Sequence, residues 1–373
     1  MLMGDMPELM ENILKHLNNE IYSLYSITPL TTLTFKLFLE SGAILHEFYL
    51  YNSEFPKFEL EIFFHSLEQN VQFYSRLQHL SLDIMSNFGF ENIAKLLMVL
   101  AKNTTKINAL RLVFYSKNAK LIHTLFPALI HFIKSQEQLR KFILEADETL
   151  RILDCDKKLL KILDYNISTL EIYYFKIDAP IIVQILEKIG ILLKRLKVET
   201  ENVILEESSL LEALKSFCPN IIYLYITHIG FSTQLLELIA NLQKLQFLSL
   251  GYAYHTPKEE NKIQVMQFAK ILSSTLQYLD IAIDMAYNIP DNLLDSFIDI
   301  LLDHCNAPLK KLLISSVSLN NEKNIKALIK YCTRIRTLNY VGIVKYNDLD
   351  DDIRNELEKY VTLVPYKHIV VNC

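Results

Sequence analysis

The sequence predicts an α/β solenoid: a curved horseshoe with a parallel β-sheet on its concave face, helices on its convex face and a short α-helical N-terminal segment. Three observations predict it. An apolar spacing L-x-x-L-x-L recurs nearly throughout, and a helical pattern follows each copy. The chain is also 373 residues long and 51% hydrophobic, ample to bury a continuous core, yet it holds only 7 glycines and no tryptophan. Self-similarity at a fixed period is the signature of stacked repeats.

In chain order the copies are LHEFYL at 45–50, LQHLSL at 77–82, INALRL at 107–112, LRKFIL at 139–144, ISTLEI at 167–172 and LKRLKV at 193–198. They continue as IIYLYI at 221–226, LQFLSL at 245–250, LQYLDI at 276–281, LKKLLI at 309–314, IRTLNY at 335–340 and YKHIVV at 366–371. The two end copies fit loosely. Leu45 to Tyr366 spans 321 residues in eleven intervals, about 29 per repeat, with single intervals from 24 to 33.

The segments between copies carry apolar residues three and four apart, the pattern of a helix with one buried face. Clear cases are FENIAKLLMVLAKN at 90–103, PIIVQILEKIG at 180–190, STQLLELIANL at 232–242 and NLLDSFIDILLDHC at 292–305. A strand of three alternating apolar residues cannot bury itself alone. Stacked units bury one another, with strands in one layer and helices in the other. Helices take more room per repeat than strands, so the stack is expected to curve with strands inside.

The copies resemble those of the leucine-rich repeat family, in its long helix-containing, cysteine-type and ribonuclease-inhibitor-like branches. Cys218-Pro219-Asn220 before IIYLYI looks like the helix-to-strand junction of cysteine-type repeats. Cys305-Asn306 and Cys332-Thr333 occupy related places. The resemblance covers roughly residues 40–373 and implies a leucine-rich repeat solenoid of about 12 repeats. It departs from the family where an Asn or Cys is expected three residues after the last strand apolar. That column holds Met85, Tyr115, Asp147, Phe175, Ile229 and Ala253, so the usual side-chain ladder is not expected there.

Composition narrows the function classes. No two glycines lie close enough for a phosphate-cradling loop. The net charge is −5, and basic residues cluster only in pairs such as Lys157-Lys158, which argues against nucleic-acid binding. Five widely spaced cysteines without a C-x-x-C pair suggest reduced thiols in an intracellular protein, cytoplasmic or nuclear. The acidic start (Asp5, Glu8, Glu11) does not read as a signal peptide. The uncharged run 219–236 contains Asn220, Thr227, His228, Ser232, Thr233 and Gln234. It reads as strand, loop and helix start, so neither a membrane span nor a membrane partner is expected.

No catalytic motif of the G-x-S-x-G or H-E-x-x-H type occurs. His304-Cys305 reads as a helix end with a core cysteine. The acids Asp348, Asp350, Asp351 and Asp352 lack the glycine and spacing of a calcium loop and suit a helix start. No enzyme activity, metal or cofactor is expected.

Surfaces remain. Residues between the strand apolars point out of the sheet on its concave side. Between the last two apolars these are Tyr49, Ser81, Arg111, Ile143, Glu171, Lys197, Tyr225, Ser249, Asp280, Leu313, Asn339 and Val370, mixed in sign. Tyr223, Tyr225, Phe247 and Tyr278 fall in three adjacent repeats, with Tyr173 two repeats before. Neighbouring strands lie ~4.8 Å apart, so the rings are expected to form one exposed patch. These five aromatics are the candidate partner-binding residues, since aromatics anchor protein interfaces. The plainer explanation is that a chain with 20 Tyr and 20 Phe holds such clusters by composition.

At the N-terminus, Asp5 and Glu8 form a capping-box-like start with Pro7 in the first turn. Leu9, Ile13, Leu14 and Leu17 make one apolar stripe, and Ile21 and Leu24 begin a second helical piece. A cap on the open end of the repeat stack would account for this. The segment MPELMENILKHLNNEIYSLYS also resembles the first half of an F-box, with Met6-Pro7 in the Leu-Pro place. That resemblance implies that Met6, Pro7, Leu9, Ile13, Leu14 and Leu17 bind a Skp1-type adaptor. The family's second half, with its tryptophans, is not matched after Ser26. The expected organisation is an F-box-like segment at 1–28 and the solenoid at 29–373. The expected function is a non-enzymatic substrate receptor of a Skp1–cullin–F-box ubiquitin ligase, holding an unknown target protein on the concave face. The alternative is a free-standing scaffold or inhibitor without an adaptor.

Overall fold

A computed structural model describes residues 44–50, 71–84, 90–115, 119–146, 166–174, 179–200, 204, 206–252, 258–283, 291–314, 322–343 and 350–365. The chain divides into two compact units, Met1–Leu139 and Arg140–Cys373. The first holds strands β1 (Glu47–Leu50), β2 (His79–Ile84) and β3 (Ala109–Phe114), with helices α1 (Phe90–Asn103) and α2 (Ala119–Ser135). Its strands pair in parallel, in sequence order.

The second unit runs β4 (Lys141–Ala146), β5 (Thr169–Tyr173), α3 (Ala179–Ile189), β6 (Arg195–Glu199), α4 (Glu207–Phe217) and β7 (Tyr223–Ile229). It continues α5 (Thr233–Asn241), β8 (Phe247–Tyr252), α6 (Lys258–Ile271), β9 (Tyr278–Ile283), α7 (Asp291–His304) and β10 (Lys311–Ile314). It ends α8 (Glu322–Arg334), β11 (Tyr340–Ile343), α9 (Asp351–Leu357) and β12 (Thr362–Pro365). Each strand here also pairs in parallel with the next in sequence. Parallel strands joined by helices, each beside its sequence neighbour, make a leucine-rich repeat solenoid.

The core follows the apolar spacing. On strands β5 to β8 the inward pair is fully buried: Leu170 and Ile172, Leu196 and Val198, Leu224 and Ile226, Leu248 and Leu250. The helix stripes meet them, for example Ile182, Ile185, Leu186 and Ile189 of α3. Each such side chain contributes ~1.5–3 kcal/mol on leaving water. Strand register is fixed at the turns. The amides of Ile222 and Tyr223 both donate to the Lys194 carbonyl, and those of Gln246 and Phe247 to Ile222. Those of Gln277 and Tyr278 then donate to Gln246, and those of Lys310 and Lys311 to Gln277.

Two copies sit elsewhere than their spacing suggests. Val341 pairs with Leu312, so the eleventh copy is LNYVGI at 338–343 and not IRTLNY at 335–340. Leu363 pairs with Val341, so the twelfth strand lies at Thr362–Pro365, before the expected copy at 366–371, which lies outside the described residues. In both, Leu, Ile, Tyr or Val at near-repeat spacing satisfied the pattern, and strand pairing decided.

Side chains just before the strands tie each repeat to the one before it. Gln136 donates to the Thr104 carbonyl at 2.9 Å, Asn220 to Ile191 at 2.9 Å, Thr275 to Leu245 at 2.8 Å and Thr337 to Leu309 at 2.9 Å. Each reaches back one repeat and satisfies a carbonyl that no strand partner uses.

Candidate functional site

Alternation puts two residues per repeat on the sheet face opposite the core. In the second unit the first of these runs, strand by strand, Lys141, Thr169, Arg195, Tyr223, Phe247, Tyr278, Lys311, Tyr340 and Thr362. The second runs Ile143, Glu171, Lys197, Tyr225, Ser249, Asp280, Leu313, Gly342 and Val364. Gly342 and Val364 thus stand where the sequence pattern put Asn339 and Val370.

The expected aromatic patch is contiguous. The rings of Tyr223 and Phe247 stack with centroids 3.9 Å apart, and those of Phe247 and Tyr278 at 4.0 Å, nearly parallel. In-register strands place identical positions one strand spacing apart, so flat rings close like a stack of plates. The exposure differs from the expectation. Tyr223 is 6% exposed, Phe247 4% and Tyr278 6%, and with Leu313 they form a buried cluster. Tyr225, packed against it, is half-buried and is the ring that reaches solvent. Stacking covers the faces of the inner rings, so three of the four positions that alternation turns away from the core are nonetheless buried.

The row ends on a cation. The Arg195 guanidinium lies 3.5 Å from the Tyr223 ring centre, and its Nε donates to Glu171 Oε1 at 2.9 Å. Tyr173 donates its hydroxyl to Glu171 Oε2 at 2.7 Å, and the Lys141 ammonium lies 3.8 Å from the carboxylate. Burial pushes the Glu171 carboxyl up, but Tyr173, Lys141 and Arg195 together hold it below its ordinary value. Burial and the same carboxylate raise the Tyr173 hydroxyl. Lys197 binds Glu199 at 2.9 Å and stands over two rings, 4.4 Å from the centre of Tyr173 and 4.2 Å from Tyr225. Tyr173 is therefore tied to Tyr225 through Lys197, one strand between them.

Further along, Ser249 donates to Asp280 Oδ2 at 2.9 Å. Asp280 is 4% exposed, and burial pushes its carboxyl up to about 6 against the pull of Ser249 and Lys197. The sequence pattern contained Arg195, Glu171, Lys197, Ser249 and Asp280 but read as sign-mixed. The informative signal is the offset: an acid on one strand, a cation two residues earlier in register on the next, and a ring paired with that cation on the third. Just past Tyr225, β7 carries one extra residue against β8, with His228 at φ 55, so the strand bends there.

The F-box-like residues Met6, Pro7, Leu9, Ile13, Leu14 and Leu17 lie outside the described residues. Cys218, Cys305 and Cys332 are free and buried at helix ends. Burial pushes the Cys218 thiol up to about 12 and Cys332 to about 11, which suits core packing and not nucleophilic work. Asp350 is the N-cap of α9, accepting from the amides of Asp352 and Ile353. Among the described residues no group of three His, Cys, Asp or Glu is placed to hold a metal, and no helix is long and apolar enough to cross a membrane.

No family model matches the sequence, and no curated protein matches it. Among solved structures, the chain is similar to one in the crystal structure of the yeast Rad7 and Elc1 complex. The identity is 12%, with 97% of each chain covered and a TM-score of 0.45. It is also similar to the leucine-rich repeat-containing protein LegL7 from Legionella pneumophila, at 12% identity, covering 87% of this chain and 99% of that one, with a TM-score of 0.47.

Proposed function

We propose that this chain is a non-enzymatic protein-interaction module and the substrate receptor of a Skp1–cullin–F-box ubiquitin ligase. Its target is a protein held on the strand face of the second unit. The observation that carries the binding role is the row from Glu171 and Arg195 through Tyr223 to Tyr278, rimmed by Lys197, Tyr173 and Tyr225. A face whose inner rings are locked by stacking presents its outer groups in one arrangement, which lowers the ordering cost of binding. Half-buried Tyr225 and Tyr173, each against the Lys197 ammonium, are of the amphipathic type that dominates interface energetics.

The adaptor role rests on the F-box-like residues Met6, Pro7, Leu9, Ile13, Leu14 and Leu17. Pull-down of the full chain with a Skp1-type adaptor tests it: stoichiometric recovery, lost in Leu14→Asp while the solenoid stays folded by circular dichroism, supports the receptor. No recovery favours a free-standing scaffold whose N-terminal helices cap the stack, a reading that the absence of tryptophan favours. For the target, Tyr225→Ala is expected to weaken binding of a crosslinked partner at least about tenfold. Unchanged affinity would remove Tyr225 from the interface.

A further inference from the structure

Among the described residues, the strand face of the second unit holds two buried carboxylates, Glu171 and Asp280, and they are served unequally. Glu171 accepts on both oxygens, from Arg195 at 2.9 Å and from Tyr173 at 2.7 Å. Asp280 accepts on Oδ2 from Ser249 at 2.9 Å, while Oδ1 is buried without a hydrogen-bond partner. A buried carboxylate served by one neutral hydroxyl leaves most of its desolvation cost unmet.

The surroundings repeat the arrangement that satisfies Glu171. There the acid on β5 meets the cation of β6, Arg195, which lies on the β7 ring, Tyr223. Around Asp280 of β9 the next strands supply Lys311 and then Tyr340, in the same positions. The Lys311 ammonium lies 6.0 Å from the centre of the Tyr340 ring, while Asp280 Oδ1 accepts no hydrogen bond. On the other strands, β8 faces Asp280 with Ser249, whose register partner on β7 is Tyr225, and β6 contributes the more distant Lys197. The place beside Asp280 is thus a buried carboxylate with one oxygen unanswered, flanked in register by Ser249 and Leu313.

We propose that Asp280 receives a lysine or arginine side chain of the protein partner, which enters past the half-buried Tyr225 ring and takes the place that Arg195 holds at Glu171. This rests on the partner-binding reading of the same face and names the chemistry that the face selects. A cation there meets a buried carboxylate oxygen that has no hydrogen-bond partner, and a charge-assisted pair is strongest where water is excluded. A carboxylate that belongs to no group of three His, Cys, Asp or Glu among the described residues does not suit a metal ion. Because the carboxyl is pushed up to about 6, an entering cation must find it ionised, and binding weakens as pH falls below that value.

The test uses the full chain and immobilised nonapeptides, identical but for a central arginine, lysine, citrulline or glutamate. Arginine and lysine peptides are expected to retain the chain at least about tenfold better than citrulline, with the preference falling about tenfold from about pH 7.5 to about pH 5. Asp280→Asn is expected to abolish the preference, and Ser249→Ala, which leaves the carboxylate in place, to keep it. Equal retention of arginine and citrulline peptides, no retention of any, or a preference that survives Asp280→Asn overturns the proposal. If the crosslinked partner is lost in Tyr225→Ala but kept in Asp280→Asn, the partner face stands and the cation site alone falls.

Discussion

At the scale of single residues, Asp280 makes the stability of the free chain depend on pH. Its folded value, about 6, lies above the ordinary 3.8, so its contribution is full below about pH 4 and is lost as pH rises through 6. Relative to Asp280→Asn, the wild type should therefore lose roughly 2–3 kcal/mol between about pH 4 and about pH 7, measured by urea unfolding. A flat difference would show that the carboxyl is not desolvated. A second residue is set by contact: a Cβ on Gly190 would lie 2.7 Å from the Phe217 carbonyl oxygen and 2.8 Å from Cys218 Sγ. Gly190→Ala should cost ~1–3 kcal/mol, because neither backbone nor a buried sulfur yields cheaply. Neither effect is legible in sequence: Gly190 reads as the end of a helical pattern, and Asp280 as one more polar residue in the outward column.

Helix ends carry the next set of interactions. Arg334, in the last turn of α8, donates to the carbonyls of Leu302 at 2.8 Å, Asp303 at 2.8 Å and Cys305 at 2.6 Å. These belong to the C-terminal end of α7, whose last carbonyls have no helical partner. Arg334→Met keeps the aliphatic stem but leaves those acceptors unmet, and is expected to cost ~1–3 kcal/mol in chemical denaturation. Tyr331 works beside it, donating to the Ala307 carbonyl at 2.6 Å, and Tyr331→Phe should cost ~1 kcal/mol. Helix positions themselves were readable. The segment FENIAKLLMVLAKN is α1 as found, and Ser232, placed at a helix start by its sequence, accepts from the Leu235 amide as the N-cap of α5. Register was less readable at the C-terminal repeats. Leu338 can serve as the fourth residue of one copy or the first of the next, and only pairing of Val341 with Leu312 decides.

For the molecule as a whole, stability in a repeat stack is nearly local, because each repeat packs on its neighbours. Phe247→Ala removes the central plate between Tyr223 and Tyr278 and is expected to cost ~3–5 kcal/mol. Hydrogen exchange in that variant should open β7 to β9 before β4 or β12; uniform loss of protection across the second unit would refute local coupling. The sequence by itself determined the period, the alternation of strand and helix, the buried pair on strands β5 to β8 and the row in which the aromatics fall. Those depend on local spacing, which a chain carries in one dimension. Tertiary structure alone decided that Tyr223, Phe247 and Tyr278 bury one another, that Glu171 is answered by Arg195 and Tyr173, and that Asp280 keeps one oxygen unanswered. Those outcomes depend on which side chains meet across neighbouring strands, and so on a register that only packing fixes.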